Sequence, residues 1–291
     1  MGLRLALAVD EHLPPSGASG APLVVLVHGS LDRAASFARV VRRLGDLHVL
    51  AYDRRGYQRS RNAGPVATTL DDHVDDLLDV VGGRDAVVVG HSYGGVVAMA
   101  AAARGASEVV GVAAYEPPLP WLDRMFAPGS PPRTPLVGDP ALVAESFFRR
   151  MVGDSAWDRL PPATRAARRA EGPALVGELA AIRGEEPAFD AASVDVPALV
   201  GRGERSLERH RRGTAWLVDH LPDAELVDVE GAAHGAHLSH PDAFAAFVRR
   251  AVARSVAPGG RTGQLAGAHV AGSGAGPLEG AASSAQRTEE A

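Results

Sequence analysis

The run Ala86-Val87-Val88-Val89-Gly90-His91-Ser92-Tyr93-Gly94-Gly95-Val96-Val97-Ala98-Met99-Ala100 constrains this chain more than any other stretch. Its apolar β-branched half reads as a buried strand, and its small apolar half continues at helical spacing. Strand and helix can join within so few residues only through a sharp turn. Gly90 and Gly94 stand where a side chain would clash in such a turn, and the turn lifts the Ser92 hydroxyl above the sheet edge. A Gly-flanked serine alone says little, because it also suits a plain packing turn. Between a strand and a helix it becomes a candidate nucleophile.

The rest of the chain extends this unit. Leu3 to Val9 alternates imperfectly and predicts an edge strand, followed by a Pro/Gly/Ser loop over 14–20. Leu23 to Val27 is a continuous apolar strand of the kind covered on both faces, and it ends at His28-Gly29-Ser30-Leu31. A helix with Phe37, Val40, Val41 and Leu44 inward, a strand Val49 to Tyr52, the loop Asp53 to Ser60 and an acidic helix over 71–81 lead back to the serine turn. Val109 to Tyr115 is the next strand, and Glu116-Pro117-Pro118 closes it. Alternation of this kind predicts an α/β fold: a mostly parallel, doubly wound sheet with ligand sites beyond the carboxyl ends of its strands.

Between 118 and 193 the pattern changes to three helical segments, roughly 140–152, 156–170 and 173–182, with no convincing strand. This reads as a helical cap inserted into a core formed by 1–117 and 194–255. Trp121, Met125 and Phe147 stand out among its large apolar residues as candidates to line a substrate pocket. Packing of the insertion onto the core is the ordinary role for most residues of this kind. Strand Val196 to Val200, helix 213–221, strand Ala224 to Val229, the loop Glu230 to His234 and a helix from Pro241 to about Ser255 complete the core. Residues 256–291 are Gly-, Ala- and Ser-rich and predict a disordered tail.

Composition removes several functions. With no cysteine among 291 residues there is no disulfide, thiolate nucleophile or cysteine-ligated zinc, and no metal site is expected. All 30 basic residues are arginine, the formal charge is −5, and no basic patch suits nucleic acid. No membrane span and no targeting segment is readable, which makes a cytoplasmic location the default expectation.

Acyl transfer needs a nucleophile, a base, a group that orients the base, and two N–H donors for the oxyanion. In the Val27-His28-Gly29 strand end, the Asp53-Arg54-Arg55-Gly56 loop, the Gly90-His91-Ser92-Tyr93-Gly94 turn and the Gly231-Ala232-Ala233-His234 segment followed by His240-Pro241, the chain resembles the α/β-hydrolase superfamily. Within it, the branch of small capped serine hydrolases is the most similar. The resemblance covers about 20–255. It implies Ser92 as nucleophile, His234 as base, and the N–H groups of Tyr93 and Ser30 as oxyanion donors, with Leu31 a rival to Ser30. His237 and His240 are rivals to His234. His28 and His91 are expected to hold their loops, and His73, His210 and His220 to lie at the surface.

The acid departs from the commonest pattern of that superfamily, in which an aspartate follows the strand at 196–200. Ser206 stands there instead, and a hydroxyl cannot stabilise an imidazolium as a carboxylate does. Some members carry the acid one strand earlier, where this chain has Glu116; Glu204 and Asp228 are alternatives. The resulting expectation is a cofactor-free serine hydrolase acting on a small, apolar ester, thioester or lactone, with no nucleic-acid or membrane partner. Carbon–carbon hydrolases, perhydrolases and some lyases use the same triad. The missing aspartate also leaves open a non-catalytic protein that binds a small ligand.

Overall fold

A computed structural model describes residues 5–15, 20–122, 136–184 and 186–257. Seven strands form one sheet: β1 Val9–His12, β2 Leu23–Val27, β3 Val49–Tyr52, β4 Ala86–His91, β5 Val109–Tyr115, β6 Ala198–Gly203 and β7 Ala224–Val229. Their order is β1-β3-β2-β4-β5-β6-β7, with only β1 antiparallel to its neighbour. The helices are α1 Ala38–Val41, α2 Leu70–Val81, α3 Tyr93–Ala103, α4 Pro140–Val152, α5 Asp154–Asp158, α6 Pro162–Ala170, α7 Gly172–Ala181, α8 Glu208–His220, α9 Ala236–Ser239 and α10 Pro241–Ser255.

Continuous apolar runs such as β2 work because both faces of the sheet are covered. Alternate residues of β2 and β4 serve opposite layers. Leu23, Val25, Val27 and Val88 pack with α2, α3 and α8, while Val24, Leu26, Val87 and Val89 meet Phe37, Val40, Phe244 and Val248 on the other face. Thr69 and Asp72 form a reciprocal capping box that starts α2, and Gly82 ends it in the left-handed conformation at φ 64°.

Several expectations shift. The edge strand lies at Val9–His12 rather than 3–9, because the Ala8 carbonyl and amide are taken by Asp53 N and Ser60 Oγ before the ladder begins. The helix expected over 156–170 breaks at Leu160–Pro161 into α5 and α6, and α8 begins five residues earlier than its apolar pattern suggested. The ends of the 118–193 segment do not stand apart from the core. Leu119, Trp121 and Leu122 at one end, and Phe189 and Ala191 at the other, pack beneath α3 and α8. Of the four helices between them, α4 and α7 form a separate apolar cluster with Leu31 and Tyr57. The predicted tail lies, but for residues 256 and 257, outside the described residues, and so does Met125.

Candidate active site

Four strand ends meet at Ser92. β4 stops at His91, and Ser92 takes φ 53° and ψ −125°, a conformation that L side chains rarely adopt and that reverses the chain directly into α3. The turn closes because its neighbours lack side chains. A Cβ on Gly90 would lie 2.1 Å from the Gly94 carbonyl oxygen, and one on Gly94 would lie 2.1 Å from that of Val27. Ser92 N–H donates to the Tyr115 carbonyl at 2.9 Å, tying the turn to the residue before Glu116. The Ser92 hydroxyl makes no hydrogen bond among the described residues.

Glu116 follows β5 in the left-handed region at φ 46°, which turns its side chain across the top of the sheet. Its carboxylate is fully buried, and Oε2 lies 2.8 Å from His234 Nδ1. The other oxygen, Oε1, accepts from Gly203 N–H at 2.9 Å and from the Ser206 hydroxyl. Burial alone would push this carboxyl up. The hydrogen bond with His234, the charges of His210 and His234 and the Gly203 N–H outweigh burial and bring its pKa down to about 2. Glu116 is therefore ionised at neutral pH and fixes the proton of His234 on Nδ1, leaving Nε2 as the basic nitrogen.

The rival acids are engaged elsewhere. Glu204 accepts from Gly231 N–H at 2.8 Å, and Asp228 pairs with Arg202 at 2.7 Å. The rival base His237 is buried with its Nε2 3.2 Å from Asp32, whose carboxyl is held below its ordinary range because that contact outweighs burial. His91 donates from Nε2 to the His234 carbonyl at 2.8 Å, and His28 holds the loop that follows β2.

Two histidines expected at the surface are buried. His73 packs edge-on against Tyr93, and His210 stacks on His234 with ring centroids 4.7 Å apart and its Nδ1 3.7 Å from Glu116. Their spacing carried the signal. Leu70, His73, Val74 and Leu77 share one face of α2, and His210, Gly213, Thr214 and Leu217 share one face of α8. Neither Tyr93, Ser30 nor Leu31 spends its backbone N–H on an acceptor among the described residues. Leu31 also has positive φ, at 51°.

Of the apolar candidates, Trp121 packs edge-on against Phe189 inside the main core, its ring centroid 5.7 Å from that of Phe189, rather than lining an open site. Phe147 packs against the cluster that contains Leu31 and Tyr57, next to the loop after β2. Two groups bring three potential metal ligands within 4.8 Å of one another: Asp32, His91 and His237, and Glu116, His210 and His234. In each group a histidine already faces the carboxylate, so an ion would have to displace that pairing.

A model of the alpha/beta hydrolase family matches residues 24–247. The chain belongs to this family. Two curated relatives come from Mycobacterium tuberculosis (strain ATCC 25618 / H37Rv). Lipase LipV is 34% identical over 114 residues, 38% of this chain and 43% of the lipase. Epoxide hydrolase A is 38% identical over 109 residues, 35% of this chain and 34% of the hydrolase. The chain thus matches less than half the length of either relative. Among solved structures, the enol-lactonase from Burkholderia xenovorans LB400 superposes with a TM-score of 0.64 at 22% identity, covering 86% of this chain and 99% of that one. In this alpha/beta hydrolase the seven-stranded sheet supplies the frame, and the loops after β2, β4, β5 and β7 carry the candidate site residues. Among the described residues no helix is long and apolar enough to cross a membrane.

Proposed function

We propose that the protein is a serine hydrolase that cleaves a small ester, thioester or lactone through an acyl-enzyme on Ser92. The observation that carries this reading is the 2.8 Å bond between His234 Nδ1 and the buried carboxylate of Glu116, at the mouth of a strained serine turn. Ser92 Oγ attacks the substrate carbonyl as its proton passes to His234 Nε2, and Glu116 stabilises the imidazolium so formed. The Tyr93 and Ser30 N–H groups face the developing oxyanion. His234 then protonates the leaving group. Water, deprotonated by the same nitrogen, releases the acid and restores Ser92.

Ser92 separates this proposal from epoxide opening, the activity in the name of one relative, because that chemistry in this superfamily uses a carboxylate nucleophile. The alternative of a ligand-binding protein without catalysis drew its motive from Ser206 in the place of an aspartate. Glu116 beside His234 removes that motive. The test is a panel of p-nitrophenyl esters of graded chain length, with fluorophosphonate labelling of wild type and Ser92→Ala. Turnover and labelling that both vanish in Ser92→Ala support the proposal; an unlabelled wild type with flat, background rates overturns it.

A further inference from the structure

The loop after β2 is held by two ion pairs that belong, in whole or in part, to the helical segment. Arg54, fully buried, donates from Nε to the His28 carbonyl at 2.9 Å and from Nη2 to the Gly29 carbonyl at 3.1 Å. The same Nη2 bonds Glu178 Oε2 of α7 at 2.8 Å. Two residues further along, the Leu31 carbonyl accepts from Arg168 Nη1 at 3.0 Å, and Arg168 pairs with Glu171 at 2.6 Å.

The Gly29 carbonyl receives a second donor. Arg54 N–H donates to His28 Nε2 at 2.9 Å, so the ring proton of His28 sits on Nδ1 and points to the Gly29 oxygen, 2.8 Å away. Both lone pairs of that carbonyl are thus engaged. A peptide unit is planar, so fixing the Gly29 carbonyl fixes the direction of the Ser30 N–H, which points the opposite way. A carbonyl that accepts hydrogen bonds also makes the N–H of the same peptide a stronger donor. The peptide abuts the nucleophile, since a Cβ on Gly29 would lie 2.9 Å from Ser92 Cβ. The Leu31 N–H has no such support: the Ser30 carbonyl, its peptide partner, accepts no hydrogen bond among the described residues. The Arg54 guanidinium also lies 4.9 Å from the ring centre of Tyr93, the residue whose backbone carries the other donor.

We propose that the buried Arg54–Glu178 pair couples the helical segment to the Gly29–Ser30 peptide, so that Arg54 and Glu178 are positioning residues for an oxyanion site whose second donor is Ser30 rather than Leu31. This inference rests on the hydrolase reading above. Loss of one oxyanion donor costs about 100- to 1,000-fold in turnover. Glu178→Gln, which loosens the donor without deleting it, is expected to lower kcat by roughly 10- to 100-fold on the best p-nitrophenyl ester. KM should stay within about threefold, and the affinity for a trifluoromethyl ketone analogue should weaken by the factor lost in kcat/KM.

An uncompensated buried arginine is a threat to folding. Should Glu178→Gln fail to fold, Arg54→Met combined with Glu178→Met removes both charges together and puts the same question. The Ser30 amide resonance in a ¹⁵N–¹H spectrum supplies a readout independent of turnover, and it should move in either variant. An unchanged Ser30 resonance with unchanged kcat overturns the coupling. So does a raised KM with kcat intact, which would make the segment a substrate-binding element only. If wild type neither hydrolyses esters nor takes the fluorophosphonate, the hydrolase reading fails, and the Ser30 resonance alone decides the coupling.

Discussion

Glu116 and Ser206, which follow β5 and β6, are hydrogen-bonded to one another. The residue after β6 that usually carries the acid is here a hydroxyl donor to an acid supplied by β5. Glu116→Gln keeps shape and removes charge, and should lower kcat/KM by two to four orders of magnitude, about 3–5 kcal/mol of transition-state stabilisation. Glu204→Gln, which loses a bond to Gly231 rather than to His234, should change it less than tenfold; steady-state kinetics on the best ester checks both. His234→Ala should be far more damaging than His237→Ala in the same assay, because His237 faces Asp32 and not Glu116. A larger loss in His237→Ala would move the base and the loop register with it. The sequence singles out Ser92, His234 and Glu116 as candidates because each sits at a strand end beside a local motif. The spacing of His210 signals its burial but not its partner, and the pairing of Arg54 with Glu178 leaves no signal in the sequence. Their partners lie in distant loops or helices, and one-dimensional spacing carries no information about which strand ends converge.

At the level of elements, the apolar runs bounded by turn residues coincide to the residue with β2, β3, β5 and β7, and the helices opened by proline with α4 and α10. β2, β3 and β5 are buried on both faces, and α4 and α10 carry proline at the first turn, which leaves one solution for each; β7, half-buried at the sheet edge, is bounded by its flanking turn residues. β1 departs from the expected 3–9 because the Ala8 amide and carbonyl are bonded to Ser60 and Asp53 before the ladder to β3 begins, and its imperfect alternation does not mark that start. The turn between β4 and α3 admits the sharpest test at this scale. Gly90→Ala would drive a methyl against the Gly94 carbonyl, backbone that cannot yield cheaply, and should destabilise the fold by roughly 3 kcal/mol or more. Ser92→Ala keeps the shape of the turn and should leave the unfolding midpoint within a few degrees. Thermal melts of both variants beside wild type would expose an error in the turn geometry if Gly90→Ala melted as wild type does.

The whole molecule carries a pH dependence set by histidines buried as neutral rings. Burial and the neighbouring Arg54 charge bring His28 from 6.5 down to about 4, and burial holds His73 and His91 well below their ordinary value. Between pH 6.5 and 4 the unfolded chain binds a proton at His28 that the folded chain does not, and His73 and His91 act in the same direction. Stability therefore falls as pH drops through that window, by roughly 3 kcal/mol for His28 alone. Glu116, depressed to about 2, adds a further loss only below about pH 4.5. Urea unfolding at pH 7 and pH 4.5 should show the first loss, and equal stabilities would contradict the buried neutral histidines. The Arg54–Glu178 contact has a consequence for exchanging parts between relatives. Half of that ion pair lies on the loop after β3 and half in α7. A chimaera that took its helical segment from a donor lacking the carboxylate would graft an unneutralised guanidinium into the core, so segment and arginine have to be inherited as a unit.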